Sequence, residues 1–258
     1  MYEAQRDTAI LRVVAENEFV SVRTLTEKLE ISEATIRRDL ARLSTAGRLR
    51  RVRGGAQHLS RSTLEGQPGF ASDQGRHLVA KRAIARRAAD LCARGDAVIL
   101  DGGTTVHAMT EFLTDLGLRV LTPSLPAAHA LAEHSDATIT LTGGEVFRDQ
   151  QIVATPYPQP IVEGFSARRM FMSAQAVGPS GLMQTDSLLI GHELALLSRA
   201  EELVALVDSS KFAQRGSLVA CPLDRIDILI TDSGVSSEQR KMLESAGVRV
   251  LVVDAPPA

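Results

Sequence analysis

The sequence of 258 residues contains only two cysteines, Cys92 and Cys221, which lie far apart and without the spacing of metal ligands. With so few cysteines, we expect no disulfide framework and no metal site. No apolar run approaches the roughly 18–20 residues that a membrane-spanning helix needs. The first residues mix charges with apolar side chains and lack the basic start and apolar centre of a signal peptide. We therefore expect a cytoplasmic protein with no membrane partner and no cofactor.

Charge is distributed unevenly along the chain, whose formal net charge is -2. Residues 1–61 hold 12 of the 29 Lys and Arg and 8 of the 31 Asp and Glu, a net charge of +4 against -6 for the remainder. A basic N-terminal part on an acidic body is typical of a protein in which one domain binds a polyanion. Ordinary solvated charge gives the same totals, so the positions of the arginines decide between the two interpretations.

Three amphipathic helices are predicted in the N-terminal part. The first, in RDTAILRVVAENEFV, ends at residues 17–19. The second, SVRTLTEKLEI, begins at a Ser21 cap. The third, SEATIRRDLARLSTAG, begins at a Ser32 cap and ends at Gly47. Two short helices joined by a turn predict a helix-turn-helix, whose second helix enters the major groove of DNA.

Basic residues cluster on this last helix and directly after it. The segment RLRRVRGGAQ alternates apolar and basic residues up to a pair of glycines and predicts a small hairpin, or wing. The helix would read bases, and the wing arginines would lie near phosphates or the minor groove. A helix with a merely solvated basic face is the alternative, and the attached wing favours DNA binding. The candidate DNA-contacting residues are Ser32, Thr35, Arg37, Arg38, Arg42, Arg50, Arg51 and Arg53.

The segment SVRTLTEKLEISEATIRRDLARLSTAGRLRRVRGGA resembles the winged helix-turn-helix of the DeoR-type bacterial transcriptional regulators, and the resemblance covers residues 5–56. The family pattern is an apolar helix, an S-x-x-T-I/V-R-R-D-L recognition segment and a basic G-G-A wing. Arg53 stands where many members have His. The resemblance implies a repressor that binds double-stranded operator DNA as a homodimer or homotetramer.

We predict a DNA-binding domain in residues 1–57, a linker in residues 58–76 and an effector domain in residues 77–258. The linker is rich in Ser, Gly and Gln and shows no sustained periodicity. From Lys81 onwards helices alternate with near-continuous apolar strands. This alternation predicts an α/β fold with a mainly parallel sheet that is covered on both faces. The strand candidates are 97–101, 118–122, 137–142, 169–173, 203–207, 226–231 and 248–253.

Polar clusters follow several of these strands, and the carboxyl ends of parallel strands meet at one edge of a sheet. Glycines let the backbone approach an anion, hydroxyls and free N–H groups donate to it, and a lysine supplies positive charge. A Gly-Thr loop alone is often an ordinary turn, but four clusters at one edge favour a phosphorylated polyol or sugar. The candidate effector-binding residues are Asp101, Gly102, Gly103, Thr104, Thr105, Ser124, Gly143, Gly144, Glu145, Asp186, Asp208 and Lys211.

The motifs DGGTT, TPSL, TGGEV, VDSSKF and DILITD are similar to those of the DeoR-type sensor domain. This resemblance implies a fold related to the ribose-5-phosphate isomerases and coenzyme A transferases, and a phosphorylated sugar or sugar acid as effector. Pro123 stands where the family usually has Asn and lacks a backbone N–H, so one family contact is expected to be absent. The stretches around residues 184–186 and FRDQQIVATP are similar to the subgroup that includes the L-ascorbate-utilisation repressor.

The relation to isomerases leaves an enzymatic alternative open. Isomerisation through an enediol needs a carboxylate base and a group that stabilises the oxyanion. The histidines are scattered and lack metal or triad spacing. A fused DNA-binding domain favours a regulator without catalytic residues, in which effector binding is coupled to DNA affinity. For the enzyme the candidate bases are Asp101, Glu145, Asp186 and Asp208, and the candidate electrophile is Lys211.

Overall fold

The computed structural model describes residues 3–15, 20–29, 31–45, 49–52, 54–58, 70–155 and 157–255. Contacts divide the chain into two compact units, Met1–Ser72 and Asp73–Ala258. The predicted linker contains a short helix at its C-terminal end, Phe70–Gln74, while residues 59–69 lie outside the described ranges. Among the helices of those ranges, none has the length and the apolar content that a membrane span requires.

The N-terminal unit combines three helices with a small antiparallel sheet. Its strands pair in the order β1-β3-β2, and β2 and β3 form the predicted hairpin, with Gly54 at a φ of 85° in the turn. A positive φ is costly for any residue with a side chain, so a glycine suits this turn. In chain order the elements are α1 (Glu3–Ala15), β1 (Val20–Ser21), α2 (Val22–Leu29), α3 (Glu33–Thr45), β2 (Leu49–Val52) and β3 (Gly55–His58).

The beginnings of α2 and α3 are fixed by the same cap. Ser21 Oγ accepts a 3.0 Å hydrogen bond from the N–H of Thr24, and Ser32 Oγ accepts one of 3.4 Å from the N–H of Thr35. These contacts confirm both predicted caps, which satisfy backbone donors that a helix start leaves open. The predicted ends of the first and third helices, residues 17–19 and Gly47, lie outside the described residues.

One apolar core joins the helices to the hairpin. Helical spacing places the apolar residues of each helix on one face, and those faces meet. The buried side chains of this core are Ile10, Val14, Val20, Val22, Leu25, Ile36, Leu40, Leu43, Leu49 and Ala56.

The C-terminal unit is an α/β structure. Short 3-10 turns follow α6, β12 and β13 at Met109–Phe112, Ser209–Phe212 and Leu223–Arg225. From the predicted linker onwards the elements are α4 (Phe70–Gln74), α5 (Leu78–Ala89), β4 (Ala97–Leu100), α6 (Thr104–Ala108), β5 (Arg119–Thr122), α7 (Leu125–His134), β6 (Thr138–Leu141), β7 (Glu145–Phe147), β8 (Ile152–Ala154), α8 (Pro160–Glu163), β9 (Ala167–Met172), β10 (Ala176–Gly178), β11 (Gly181–Gln184), α9 (Ser187–Leu197), β12 (Ala200–Leu206), β13 (Leu218–Cys221), β14 (Ile228–Asp232), α10 (Ser237–Ser245) and β15 (Arg249–Val253).

A seven-stranded sheet in the order β15-β14-β12-β9-β4-β5-β6 forms the centre of this unit, and every neighbouring pair is parallel. All seven strand candidates correspond to strands of this sheet, so the predicted α/β class with a parallel sheet is confirmed. The carboxyl ends of β4, β5, β9 and β12 lie side by side, because these four strands are consecutive in the parallel sheet.

The two faces of the sheet are buried in separate cores. Val98 and Leu100 of β4 pack with Ile84 of α5 on one face. Ile99 points to the other face, which also contains Leu196 of α9 and Leu243 of α10. Alternate side chains of one strand therefore serve both cores, as expected for a sheet covered on each side.

Two smaller antiparallel assemblies extend beyond the main sheet. They are the hairpin β7-β8 and the three-stranded sheet β10-β11-β13. Neither assembly is predicted from the sequence.

Candidate functional site

The exposed face of α3 carries Arg37 and Arg38. Arg37 donates hydrogen bonds of 2.8 Å from Nε and 2.5 Å from Nη2 to Oε1 of Glu33, one turn earlier. Arg38 is exposed and makes no hydrogen bond or ion pair with the described part of the chain. Among the predicted DNA-contacting residues, these two are therefore the guanidinium groups that α3 presents to solvent.

Arg42 is placed differently from the two exposed arginines. Its Nη1 donates a 2.8 Å hydrogen bond to Oδ2 of Asp7 in α1, and its Nη2 contacts Oδ1 of Asp7 and donates a 3.3 Å bond to Asp39. Burial alone would raise the pKa of Asp39, but the bonds from Arg6 and Arg42 outweigh it and lower that pKa. Arg42 thus ties α3 to α1, a contact that helical spacing within α3 did not indicate.

The remaining predicted DNA-contacting residues are only partly described. The hydroxyls of Ser32 and Thr35 lie 2.9 Å apart at the cap of α3. Arg50 and Arg51 belong to β2 and pair through their backbone with β3, and the structure describes only the backbone of these two residues. Arg53 lies outside the described residues.

The loop after β4 is enclosed tightly by its neighbours. Asp101 donates its backbone N–H to the carbonyl of Phe171 at 3.0 Å, which continues the pairing with β9. A Cβ at Gly102 would overlap Ile152 of β8, and a Cβ at Gly103 would overlap Oγ of Ser173. The two glycines are therefore required by close packing, and the buried Thr104 and Thr105 then begin α6.

A buried ion pair adjoins this loop, and neither of its partners was predicted as a site residue. Lys81 of α5 donates to the carbonyl of Asp73 at 2.6 Å, to Oδ2 of Asp73 at 2.7 Å and to Oγ1 of Thr104 at 3.0 Å. Thr104 in turn donates to Oδ2 of Asp73 at 2.7 Å, and Nζ of Lys211 lies 3.8 Å from Oδ1 of Asp73. Two ammonium groups and one hydroxyl therefore converge on a single carboxylate.

The loop after β12 brings a second carboxylate to the same cluster. Oδ1 of Asp208 accepts the N–H of Ser210 at 3.2 Å, whereas its buried Oδ2 has no hydrogen-bond partner among the described residues. Burial lowers the pKa of Lys81, and the charges of Asp73 and, more weakly, Asp208 oppose this effect. Ser209 is fixed by Asp232 at the end of β14, through bonds of 2.6 Å and 2.7 Å.

The loop after β5 supports the β7-β8 hairpin. Oγ of Ser124 caps α7 by accepting the N–H of Ala127 at 3.2 Å. The carbonyl of Pro123 accepts the N–H of Val153 at 2.8 Å, and Ser124 forms a bridge with Ile152. Pro123 therefore holds in place the strand β8, whose Ile152 contacts the loop after β4.

Gly143, Gly144 and Glu145 form the turn into β7. Both glycines have positive φ angles, 84° and 122°, and a Cβ at Gly144 would overlap the carbonyl of Ala154. The side chain of Glu145 is exposed. These residues adjoin the hairpin, but Glu145 does not share the buried setting of Asp101 and Asp208.

Asp101 at the end of β4 belongs to a second group of carboxyls, together with Glu193 and Asp186. Burial raises the pKa of Asp101 to about 6, against the backbone N–H groups of Gly102 and Ser173, which lower it. Burial also raises the pKa of Glu193 well above its usual range. The charges of Asp101 and Asp186 add to that rise, and a 2.7 Å hydrogen bond from Gln184 opposes it. Among the described residues no cluster of His, Cys, Asp and Glu could hold a metal ion.

Contacts in the structure thus bring together three of the predicted loops. Thr104 and Lys211 meet at Asp73, Asp208 acts on Lys81 nearby, and Ser124 is linked to Gly102 through Ile152. Lys81 had a sequence signal of its own, because it lies on the same helical stripe as the buried Ile84, Ala85 and Ala88. Charged residues are seldom fully buried without a partner, so a lysine on that stripe indicates an ion pair.

The chain combines a helix-turn-helix with a winged hairpin and a parallel α/β unit that has a cation-lined edge, an organisation typical of effector-responsive DNA-binding regulators. Residues 6–62 match the family described as "DeoR-like helix-turn-helix domain", and residues 76–233 match that described as "DeoR C terminal sensor domain". The chain belongs to the DeoR family of transcriptional regulators.

Curated relatives agree with this membership. The chain is 32% identical over 253 residues to a protein named HTH-type transcriptional regulator UlaR from Shigella dysenteriae serotype 1 (strain Sd197), with 98% of this chain and 100% of that protein covered. A protein of the same name from Escherichia coli (strain K12 / DH10B) gives the same identity and coverage.

Solved structures show weaker likeness. A probable sor operon regulator from Shigella flexneri is 13% identical with a TM-score of 0.39, and the match covers 65% of this chain and 90% of that one. A ribose 5-phosphate isomerase A from Methanocaldococcus jannaschii is 17% identical with a TM-score of 0.37, and the match covers 51% of this chain and 53% of that one.

Proposed function

We propose that this protein is a transcriptional repressor that binds operator DNA through α3 and the β2-β3 hairpin and is released by a phosphorylated sugar or sugar acid. The observation that carries the proposal is the presence, in one chain, of an arginine-bearing α3 and of a buried cation cluster at the carboxyl edge of the sensor sheet. The effector would act by binding more tightly to the conformation that has low affinity for DNA.

Arg37 and Arg38 are proposed to contact base edges, because they are the exposed guanidinium groups on α3. Arg is well suited to bind guanine through two hydrogen bonds in the major groove. Arg50, Arg51 and Arg53 are proposed to contact phosphates, which position the protein without reading sequence. Ser32 and Thr35 would present the N-terminus of α3 to the DNA backbone. Arg42 would support α3 through Asp7 rather than contact DNA.

The effector is proposed to bind against the loops after β4, β5 and β12. Lys81 and Lys211 supply positive charge, and Thr104 and Thr105 supply hydroxyls. Asp101, Asp186 and Asp208 would accept hydrogen bonds from ligand hydroxyls. Gly143, Gly144 and Glu145 would border the site from the β7-β8 hairpin.

A homodimer or homotetramer is proposed, because a pair of reading helices on repeated half-sites needs at least two chains. Exposed apolar side chains on α9 and β13, those of Leu194, Leu218 and Val219, offer surface that a second copy would bury. Light scattering on the purified chain tests this point, and a monomeric mass at the concentrations that saturate DNA would contradict it.

The function is tested by fluorescence anisotropy with labelled DNA taken from upstream of the gene itself and of its neighbours. Specific binding is expected to survive excess unrelated DNA and to be reversed by at least one member of a panel of phosphorylated pentoses, hexoses and sugar acids. The unphosphorylated counterparts are the control. Operator binding that no member of the panel alters would refute effector release by this class of ligand.

An isomerase-like activity is the second candidate, and the buried Asp101 favours it. Its pKa of about 6 is closer to neutrality than that of an exposed carboxyl, as suits a general base. The test is to incubate the protein with pentose and hexose phosphates and to follow interconversion by NMR, with Asp101→Asn as control. If the wild type interconverts a substrate and Asp101→Asn does not, the result would support an enzyme. If no substrate is interconverted, the enzymatic candidate would be contradicted and only the regulatory function would stand.

A further inference from the structure

The carboxylate of Asp73 lies where an effector phosphate would be expected to bind. It accepts hydrogen bonds from Lys81 at 2.7 Å and Thr104 at 2.7 Å and forms an ion pair with Lys211 at 3.8 Å. A phosphate oxygen prefers the same kind of environment, ammonium groups together with a hydroxyl. Lys211 and Thr104 belong to the loops that the proposed function assigns to the effector.

All hydrogen-bonding capacity of Lys81 is used in this arrangement. An ammonium group has three donors, and here two bind Asp73 while the third binds Thr104. The side chain of Lys81 is only 2% exposed, so water does not offer an alternative partner. Lys81 can therefore donate to an incoming anion only if one of these three acceptors withdraws, and the carboxylate of Asp73 is the one that carries the same charge as the anion.

The charge balance of the cluster leads to the same conclusion. Lys81 and Lys211 carry two positive charges, and Asp73 and Asp208 carry two negative ones. A phosphate monoester brings close to two further negative charges at neutral pH. Like charges at such distances repel strongly in a buried setting, so the phosphate and Asp73 cannot both occupy the cluster.

We propose that Asp73 is an internal competitor of the effector, whose carboxylate binds Lys81, Thr104 and Lys211 in the free protein and must leave when the effector phosphate binds. This inference rests on the proposed function, because it concerns the same edge of the sensor. Asp73 lies on α4, so its departure would remove the carboxylate bond that holds α4 to α5 and α6.

The inference predicts the direction of two effects of Asp73→Asn, a substitution that keeps the shape of the side chain and removes its charge. The chain should melt at a lower temperature without phosphate, because Lys81 loses its charged partner. Its affinity for inorganic phosphate should rise about tenfold, because binding no longer requires the displacement of a bound competitor. The measurement is the melting temperature as a function of inorganic phosphate at constant ionic strength.

Asp96→Asn is the matched control. Asp96 is 13% exposed against 17% for Asp73, and it also pairs with two cations, Arg168 and Arg169. It precedes β4, whereas the cluster lies beyond the carboxyl end of that strand. Asp96→Asn is expected to leave the phosphate midpoint within twofold of the wild type. Asp73→Glu, which retains the charge, is expected to bind phosphate no more tightly than the wild type.

Each outcome decides the matter. Phosphate affinity of Asp73→Asn that equals or falls below that of the wild type, or no response of either protein to phosphate, would overturn the competitor role. If Asp73→Asn does not fold alone, phosphate is expected to restore a cooperative melt by replacing the missing anion, and failure to do so would also overturn it. Operator release by phosphorylated sugars tests the proposed function separately, so either proposal can fail without the other.

Discussion

Arg42 of α3 donates a 2.8 Å hydrogen bond to Oδ2 of Asp7 in α1, whereas Arg38, four residues earlier on the same helix, has no partner in the described chain. Substitution of the two arginines should therefore affect different properties, DNA binding for Arg38 and stability for Arg42. Arg38→Ala is expected to leave the melting temperature unchanged and to weaken specific operator binding by about 5- to 150-fold, equivalent to about 1–3 kcal/mol. Arg42→Ala is expected to lower the stability of the N-terminal unit by about 1–2 kcal/mol.

Thermal denaturation and fluorescence anisotropy on the same samples separate the two effects. Arg82→Ala, which removes an exposed arginine from α5 in the sensor, is the control for the change in net charge. If Arg38→Ala retained wild-type operator affinity, Arg38 would not be a base-contacting residue.

The Glu33–Arg37 pair makes a second prediction about α3. Both side chains are more than half exposed, so their ion pair contributes little to stability. Glu33 adds a negative charge to the face proposed to meet DNA and occupies the fork of Arg37. Glu33→Gln is expected to raise the affinity for DNA about threefold to tenfold. It is also expected to reduce the ratio of the affinity for operator DNA to the affinity for unrelated DNA.

The control is Glu27→Gln on α2, because Glu27 forms the same exposed pair with Arg23, four residues away. Anisotropy titrations at several salt concentrations provide the comparison, since phosphate contacts depend on salt. Equal responses of the two variants would mean that Glu33 acts only through net charge.

The buried carboxyls Asp101 and Glu193 should make stability depend on pH. Their pKa values are raised in the folded protein, so the folded chain binds more protons than the unfolded one between about pH 4 and the folded pKa values. Their contribution to stability is fully present below about pH 4 and is lost as the pH rises through 6 and above.

Glu193→Gln removes one of these titrations and retains an oxygen that can accept the bond from Gln184. The variant is expected to melt higher than the wild type at neutral and alkaline pH, by on the order of a few degrees, with the difference shrinking towards pH 5. Melting curves across this range check the prediction, with the exposed Glu163→Gln of α8 as control. A constant difference at every pH would show that the charge of Glu193 is not responsible.

Gly103→Ala should disturb the loop after β4 through one identifiable overlap. The backbone of Gly103 has a φ of -77°, which alanine adopts readily, so the expected loss of about 1–3 kcal/mol comes from crowding against Ser173. Adding Ser173→Gly to Gly103→Ala removes the overlapping atoms and is expected to restore most of the lost stability. Denaturant unfolding of the single and double variants measures the coupling.

Gly191→Ala provides a control for the glycine change itself. Gly191 lies within α9, and an added Cβ there meets no atom within 4 Å. This substitution is expected to stabilise the sensor by about 0.5–1 kcal/mol, because alanine favours the helix. A double variant as unstable as Gly103→Ala alone would indicate that the loop tolerates no side chain for some reason other than Ser173.

The sequence was sufficient to predict the main sheet, because its strands are short apolar runs that are buried on both faces, as Val98, Ile99 and Leu100 illustrate. Parallel topology then explains why Thr104 and Lys211, distant in sequence, meet at one edge. The partner of these residues was beyond prediction. Asp73 stands in a stretch without periodicity, and its contact with Lys211 depends on tertiary packing that local patterns do not encode.

Helix α3 shows the same division between local and tertiary information. Ser32, Ile36 and Leu40 followed helical spacing, and the predicted cap and core positions are confirmed. The spacing could not reveal that Arg42 is engaged by Asp7, because that contact joins two helices whose mutual placement depends on the shared core.

The strand order gives the protein a built-in sequence of events during synthesis. β4 is translated first among the seven parallel strands and lies inside the sheet, between β5 and β9. On the ribosome it can pair with β5 at once, but its other edge stays open until β9 is made, and the loop that carries Lys211 emerges later still. Each newly made molecule therefore has the arginines of α3 well before the sheet edge that includes Lys211 is complete.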